Sequence, residues 1–547
     1  MKKIRRILEA KWLVMLVWLA GVAVVWEVFA FRVEAVKRTP ENIMPHIWQI
    51  VQAIFSTDTV TRDQTALQVV LTSAGQTLER AALGFLIGTI LGFVLALLMH
   101  LFRGVEKTVS PYLIIIQVIP ILGMAPIVLA ITGDIGVSRI VIAAILTFYP
   151  VAANTLSGFR ATEREKKELM YSYAANKFQL YTKTYIPNCI PYFFTGLKIS
   201  APMAITASIL VDTLQGDGGL GCMLSQAQKH AMSIYVFWLI VLFSACIGIL
   251  SFTIMGWLEN AVCPYRCTGT NRRGGGNDMA GKNKNRKQWD AVTTVAYPFL
   301  FAVLLIAAWQ TKLLHRLLHV DTFILPIPTR ILTIIQENWG SIAENLQSTV
   351  IVIVIGLLAG SLLGYLIALI AAAFPHWGAG GLTIVSCFNA VPVVALAPVI
   401  INWTRDVSSD VAFRSMVAKC IVVMIFCTAT MSINAFRGLT EVKPFSEDLM
   451  RSYAANRFTV FWKLRLPNSI PYIFTALHVS VPLAVITAVV SEYFAEYIIG
   501  VGRMIRENIV TAQYATAWAY IIVACVLGIG MYLISILLER LFLRKHK

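Results

Sequence analysis

Met170–Ser200 reads MYSYAANKFQLYTKTYIPNCIPYFFTGLKIS, and Met450–Ser480 reads MRSYAANRFTVFWKLRLPNSIPYIFTALHVS. More than half of the positions are identical. Pro187 pairs with Pro467 and Pro191 with Pro471, both at an offset of 280. Each copy opens polar and aromatic, then runs from its proline pair into an apolar segment. A loop so polar, repeated in a chain so apolar, reads as a docking surface.

The spacing supports this reading. Ala174, Phe178, Tyr181 and Tyr185 fall at i, i+4, i+7 and i+11, one face of a short helix. The second copy has Ala454, Phe458, Phe461 and Arg465 there, with Trp462 beside them. Lys177, Lys183, Arg457 and Lys463 supply polar positions. Pro187 and Pro467 are expected to end this helix, because the residue before a proline leaves helical geometry. A second break at Pro191 or Pro471 starts the next apolar segment. A helix this short is unstable alone in water. Its aromatic face must be covered by the chain's own helix ends or by a partner.

The chain has 547 residues, 57% hydrophobic and only 14% charged, with a mean hydropathy of +0.71. Soluble domains carry far more charge. Apolar runs of about twenty residues recur, each long enough to cross a bilayer as a helix. The runs are continuous rather than alternating, which excludes strands. The expected fold class is an all-α polytopic membrane protein. Spans are expected near 12–31, 80–101, 111–131, 138–158, 191–213 and 234–258, then near 291–310, 346–374, 379–402, 415–436, 471–495 and 516–540. That gives about twelve transmembrane helices by the twenty-residue criterion. The first follows MKKIRR and is too long for a cleaved signal, so it reads as a retained span.

The net charge of +17 would suggest nucleic acid in a soluble protein. Here the basic residues cluster between spans, so topology explains them and no nucleic acid is expected. Lys2, Lys3, Arg5 and Arg6 place the N-terminus in the cytoplasm. Counting spans then puts Arg103, Lys107, the basic loop 160–183, the linker and the tail 540–547 on the same side. Loop charge and span counting agree, so both copies of the opening stretch and both termini are expected to be cytoplasmic.

The duplication extends over nearly the whole chain. Thr77, Gly84, Gly88 and Gly92 align with Thr349, Gly356, Gly360 and Gly364 at offset 272, as do Pro120 and Pro126 with Pro392 and Pro398. Asn154 and Gly158 align with Asn434 and Gly438 at offset 280, which places extra residues in the second half around 402–414. Two six-helix repeats of the same orientation follow: residues 1–258 and 291–547, joined by a basic, glycine-containing linker at 259–290. The glycine ladders let helices approach closely in lipid. The repeated prolines are expected to kink or break a span. Pro40–Phe55 and Leu325–Asn338 read as short amphipathic helices at the outer surface, either connectors or contacts for an external partner.

Gly216-Asp217-Gly218-Gly219-Leu220-Gly221 fits G-x-G-x-x-G, but it follows a span rather than a strand and reads as a tight turn. Gly500 and Gly502 occupy the comparable place. No GxxxxGK[ST] sequence occurs, so no ATPase and no catalytic residue are expected in this chain. Of nine cysteines, Cys189, Cys246, Cys387, Cys420, Cys427 and Cys525 lie in apolar runs and act as small hydrophobes. Cys263 and Cys267 have no accompanying histidine or second pair, and no metal is expected. Ionisable residues near spans are suspects for a translocation pathway, or else sit at span ends. Lys198 matches His478 and Asp212 matches Glu492 at offset 280, with Glu496 one turn beyond Glu492.

The opening stretch resembles the membrane subunits of ATP-binding-cassette importers. Their cytoplasmic loop has the form E-A-A-x3-G-x9-I-x-L-P. Counting back from Pro187 and Pro467, Glu168 and Asp448 take the acidic place, and Ala174 and Ala454 the glycine place. Leu-Met stands for the two alanines. The continuation P-N-x-I-P-Y-x-F-T-[GA]-L is closest to the nitrate/sulfonate/taurine branch. The resemblance implies two permease units fused in tandem. It implies coupling helices around Ala174, Ala175 and Phe178 and around Ala454, Ala455 and Phe458, docked on two copies of a separate ATPase that binds ATP and magnesium. It also implies an external binding protein or lipoprotein that delivers a small solute, in a bacterial cytoplasmic membrane. This chain itself needs no cofactor, and membrane lipid is among its partners. The alanine in place of glycine would give a straighter approach to the coupling helix. Two rivals are an ion-gradient-driven secondary transporter, for which Asp212 and Glu492 are the candidate ion site, and a non-transporting sensor or scaffold.

Overall fold

A computed structural model describes residues 11–61, 64–118, 125–214, 218–228, 234–263, 284–387, 391–495, 497 and 499–543. The central linker at 264–283 and Pro120, Cys267 and Glu496 lie outside the described residues. The first half contains α1 (Lys11–Val36), α2 (Ile47–Phe55), α3 (Ala66–Leu101), α4 (Arg103–Val118), α5 (Ala125–Thr132), α6 (Ile135–Arg160), α7 (Arg164–Ser172), α8 (Lys177–Leu180), α9 (Ile186–Leu214), α10 (Leu220–Gln228) and α11 (Ile234–Val262). The second half repeats this order: α12 (Lys284–Gln310), α13 (Leu313–Leu318), α14 (Pro328–Glu337), α15 (Trp339–Ala373), α16 (Pro375–Cys387), α17 (Val393–Trp403), α18 (Val411–Thr440), α19 (Ser446–Ser452), α20 (Arg457–Val460), α21 (Leu466–Phe494), α22 (Val501–Val510) and α23 (Tyr514–Leu543). Only α13 has no counterpart among the described residues. A two-stranded ladder, Thr59–Thr61 with Gln64–Thr65, is the only strand pairing among them.

Among the described residues, ten helices are long and apolar enough to cross a membrane by length and composition. The other two expected spans, near 111–131 and 379–402, fall on two shorter described helices each, α4 with α5 and α16 with α17. In the second half Pro392 stands at the break, with extended backbone (φ −61, ψ 127) as the cap of α17. A proline donates no N–H, so a helix starts after it without losing a bond. The second span starts earlier than its apolar run predicts, at Ala66 instead of near 80. The extra residues sit in the second half where the change of offset puts them: 404–410 joins α17 to α18, against only 133–134 in the first half.

The glycine ladders are packing surfaces. A Cβ on Gly84, Gly88 or Gly92 would stand 2.5, 2.4 or 2.8 Å from the nearest atom of α6. On Gly356, Gly360 and Gly364 it would stand 2.6 Å from the nearest atom of α18. The backbones of α3 and α6, and of α15 and α18, therefore meet with no side chain between them. The halves also exchange their first helices. α1 lies on α16 of the other half, where Val14 and Trp18 cover Gly380 and Gly381 and the Trp18 indole donates to the Trp377 carbonyl at 3.0 Å. α12 lies on α4, where Phe301 meets Tyr112 edge-on at 5.3 Å. Outward faces stay apolar: Val24, Leu358, Ile370 and Phe299 are all more than 60% exposed. Such a surface suits lipid rather than water.

The expected surface helices are present as α2 and α14. α2 buries Ile50 and exposes Trp48 and Phe55. The segment before it is held by three indoles from three helices. Trp26 donates to the Pro45 carbonyl, Trp238 to Glu41 and Trp403 to Ile43, at 2.9, 3.3 and 2.7 Å. His46, buried at this point, lies between Glu27 (Nδ1–Oε2, 2.6 Å) and Glu34 (Nε2–Oε2, 3.3 Å), with the Phe31 and Trp48 rings beside it.

Two predictions follow from this packing. Gly88→Ala should lower the thermal midpoint of the solubilised chain, by an overpacking cost of about 1–3 kcal/mol; an unchanged midpoint would contradict the close approach. The hydrogen bond that His46 donates to Glu27 raises the His46 pKa above its ordinary 6.5. The protonated form is thus favoured in the folded chain. This stabilisation is full below the ordinary histidine pKa and fades as pH rises through the elevated one. The midpoint of the native chain should fall with rising pH in that window, and His46→Asn should flatten the fall.

Candidate functional site

The two copies of SYAAN fold alike. α7 ends on Tyr173, and Ala174 follows in the left-handed region at φ 49; Ala454 does the same at φ 53. The Ala174 N–H donates to the Tyr171 carbonyl at 3.0 Å and the Ala175 N–H to Met170 at 3.1 Å. The second copy has Ala454 to Arg451 at 2.9 Å and Ala455 to Met450 at 3.0 Å. This bond pair is the Schellman end of a helix. The next residue starts a new one: Asn176 Oδ1 accepts from the Gln179 N–H at 2.8 Å, and Gln179 Oε1 accepts from the Asn176 N–H at 3.0 Å. Asn456 Oδ1 accepts from the Thr459 N–H at 2.7 Å. Each copy is therefore a knuckle, one helix stopped and another started within four residues. The alanine does not straighten the approach. It adopts the left-handed turn that glycine makes without strain.

The proline positions also differ from expectation. Pro187 and Pro467 do not end the short helices. Tyr181–Tyr185 and Phe461–Arg465 form single π turns. The residues before the prolines, Ile186 and Leu466, keep helical backbone, and the Ile186 N–H donates five residues back, to Tyr181. The wide turn takes up the misfit that a proline would force on an ordinary helix. Pro191 and Pro471 are likewise inside the helix. Lys177–Thr213 and Arg457–Phe494 are thus continuous helices of 37 and 38 residues, about 55 Å long at 1.5 Å per residue. Asn188 and Asn468, beside the prolines, close the ends of α6 and α18: their Nδ2 groups donate to the Gly158 and Gly438 carbonyls at 3.2 and 2.7 Å.

The expected aromatic face is split. Phe178 is 75% exposed and Phe458 71%, with Tyr171, Tyr173, Tyr453 and Trp462 also open. Tyr181 and Tyr185 turn inward instead. The Tyr181 hydroxyl lies 2.7 Å from His100 Nδ1, and the Tyr185 ring meets His100 at 4.5 Å. Each knuckle is therefore seated on the helix ends behind it and presents a phenylalanine and a tyrosine forward. Glu168 is exposed and pairs with Arg164 at 2.6 Å; Asp448 is exposed in the first turn of α19. Lys166, Lys167, Lys177, Lys183, Arg451, Arg457 and Lys463 make the surroundings basic.

The suspected pathway residues occupy two levels. Lys198 of α9 pairs with Glu259 of α11, and His478 of α21 lies 3.6 Å from Glu539 of α23. Glu259 and Glu539 are also 280 apart, a match missed in the sequence. Asp212 and Glu492 lie at the far ends of the same helices and are wholly buried. Asp212 Oδ1 is 2.8 Å from Arg139 Nε, and Lys419 stands where Arg139 does, at offset 280. That buried base was also unread. Among the described residues no cluster of three metal-ligating side chains occurs. Ala174→Gly and Ala454→Gly should each stabilise a knuckle by about 0.5–1 kcal/mol, the left-handed strain less the freedom gained when unfolded. Slower hydrogen exchange at the Ala175 and Ala455 amides is expected; faster exchange would contradict the strained turn.

Residues 88–262 and again 364–546 match the family described as binding-protein-dependent transport system inner membrane component. The chain is 34% identical over 190 residues to the formylaminopyrimidine transport permease protein of Halalkalibacterium halodurans, covering 35% of this chain and 76% of that protein. It is 27% identical over 187 residues to a putative aliphatic sulfonates transport permease protein of Bacillus subtilis, covering 34% and 67%. It is 25% identical over 187 residues to a nitrate import permease protein of Leptolyngbya laminosa, again 34% and 67%. Each relative spans about one repeat, and the two repeats lie in one chain. With an all-α membrane fold and the family found twice, the chain belongs to the permeases of ATP-binding-cassette transporters as a tandem fusion of two permease units.

Proposed function

We propose that this chain serves an ATP-driven importer as one polypeptide acting as two permease subunits. The knuckles face the cytoplasm with both termini, and each docks in a groove of one of two ATPase copies. Those partners bind ATP and magnesium and carry out hydrolysis. A binding protein or lipoprotein brings a small solute to the opposite end. The observation that carries this reading is the exposed Phe178 and Phe458, each on a rigid double-capped turn. Exposed aromatics at one end of a membrane bundle, in two nearly equal copies, suit a two-fold pair of sockets. The positive charge of the same end is the charge that stays in the cytoplasm. Asp212 is engaged by Thr77 and two arginines, and Glu492 by Thr349 and the Gly502 N–H, which argues against their serving as a coupling-ion site.

The solute reading rests on the relatives' substrates and on charge. Formylaminopyrimidine, sulfonates and nitrate are all small polar solutes. The charges within the spans are of both signs: Arg139 and Arg80 stand at Asp212, and Lys198 pairs with Glu259. Mixed signs build no strongly anion-selective path, which suits a small polar solute of this kind. Phe178→Asp with Phe458→Asp tests the docking. Both side chains are exposed, so folding should be unaffected. Capture of the ATPase by the tagged chain should fall by at least about tenfold, since desolvated aromatics dominate such contacts. Undiminished capture would sink the docking assignment.

A further inference from the structure

Asp212 and Glu492 hold together elements from four parts of each half. Thr77 of α3 donates to Asp212 Oδ2 at 2.7 Å. Arg139 of α6 and Arg80 of α3 approach Oδ1 at 2.8 and 3.7 Å. The Gly221 N–H of α10 bonds the same carboxylate. The Thr77 oxygen in turn accepts from the Leu220 N–H at 2.9 Å. In the second half Thr349 of α15 donates to Glu492 Oε1 at 2.8 Å and accepts from the Val501 N–H at 2.9 Å. The Gly502 N–H of α22 donates to Oε2 at 2.8 Å. Lys419 of α18 donates to the Ile499 carbonyl at 3.1 Å and acts electrostatically on Glu492. The first two N–H groups of α10 and of α22 thus find their acceptors on a threonine and a carboxylate from other helices. Such N–H groups have no partner within their own helix, and they favour negative charge.

The glycines just before α10 and α22 lie against the carboxylates. Gly219 has φ +92, and a Cβ on it would stand 2.2 Å from Asp212 Oδ2. Gly500 has φ +124, and a Cβ would stand 2.4 Å from the Glu492 carboxyl carbon. A glycine left alone is a joint; Gly219 and Gly500 are instead packed against a bonded carboxylate.

We propose that Asp212 and Glu492 are positioning residues that make α10 and α22 move as one body with the long helices bearing the knuckles, so that displacement at the ATPase end reaches the opposite end of the bundle. The proposal rests on the importer reading. Its physical content is a continuous path. Phe178 and Asp212 share one unbroken helix, as do Phe458 and Glu492, and the clamp locks the next element to that helix and to two neighbours.

The test uses the full chain with its ATPase in nanodiscs, with spin-label pairs at Ser172 and Ser452 on the knuckles and at Gln228 and Val510 on α10 and α22. Distances are read with and without trapped ATP, and uptake is measured in parallel liposomes. In Asp212→Asn with Glu492→Gln, the ATPase should stay bound and the knuckle distance should still respond to nucleotide. The far-end distance should lose its response, and ATP-dependent uptake should drop by about tenfold or more, within the usual range of coupling between sites. Should that chain fail to assemble, Thr77→Val with Thr349→Val, near-isosteric, decides with the same readings, and Thr77→Ser with Thr349→Ser should restore the response. A far end that follows nucleotide as in the native chain, with native uptake, overturns the proposal. A native complex whose knuckles do not respond to nucleotide overturns the importer reading, and the proposal with it.

Discussion

Each half depends on a single wide turn of helix. A proline inside an ordinary helix removes one hydrogen bond and presses its ring on the carbonyl four residues back. The π turns at Tyr181–Tyr185 and Phe461–Arg465 lie directly before Pro187 and Pro467 and absorb that misfit. The helix continues, so the surface that meets solvent at one end and the carboxylate buried at the other belong to the same rigid rod. With a break at the proline the knuckle would be a separate domain on a hinge. With the π turn it is the end of a lever.

Around each lever the packing is close and the electrostatics are local. The glycine ladders bring α3 onto α6 and α15 onto α18 at backbone distance. That leaves no room for independent sliding of the two helices. The buried carboxylates then fix the lever's far end. Removing an ion pair's partner inside a protein leaves an uncompensated charge and costs about 3–5 kcal/mol, so the Asp212–Arg139 pair is a costly place for change. Both halves keep the arrangement with different groups, Asp212 with Arg139 and Glu492 with Lys419. The geometry of acceptor, donor and glycine turn therefore matters more than the particular acid or base.

Much of this was legible in the sequence. The duplication, the paired glycines and prolines and the shift of offset from 272 to 280 are arithmetic, and they located the longer 404–410 connector. Class followed from apolar runs. What could not be read has identifiable causes. The rule that the residue before a proline leaves the helix assumes ordinary four-residue hydrogen bonding, and a π turn changes that register without any mark in composition. The alanine at 174 and 454 hid a left-handed turn because its type normally signals helix. Thr77 and Thr349 were visible only as landmarks of the repeat. Their partners, Asp212 with Leu220 and Glu492 with Val501, are far away in sequence. Tyr181 and Tyr185 share a helical face with Phe178 by spacing, but the π turn rotates them onto His100.

The central claim is that nucleotide chemistry outside this chain drives solute through it. Uptake into proteoliposomes containing the chain and its ATPase, with the binding protein added outside, measures this directly. The account predicts uptake that requires ATP on the knuckle side and the binding protein on the other, and none from an ion gradient alone. Solute accumulation driven by an ion gradient, with neither ATPase nor nucleotide present, would contradict it.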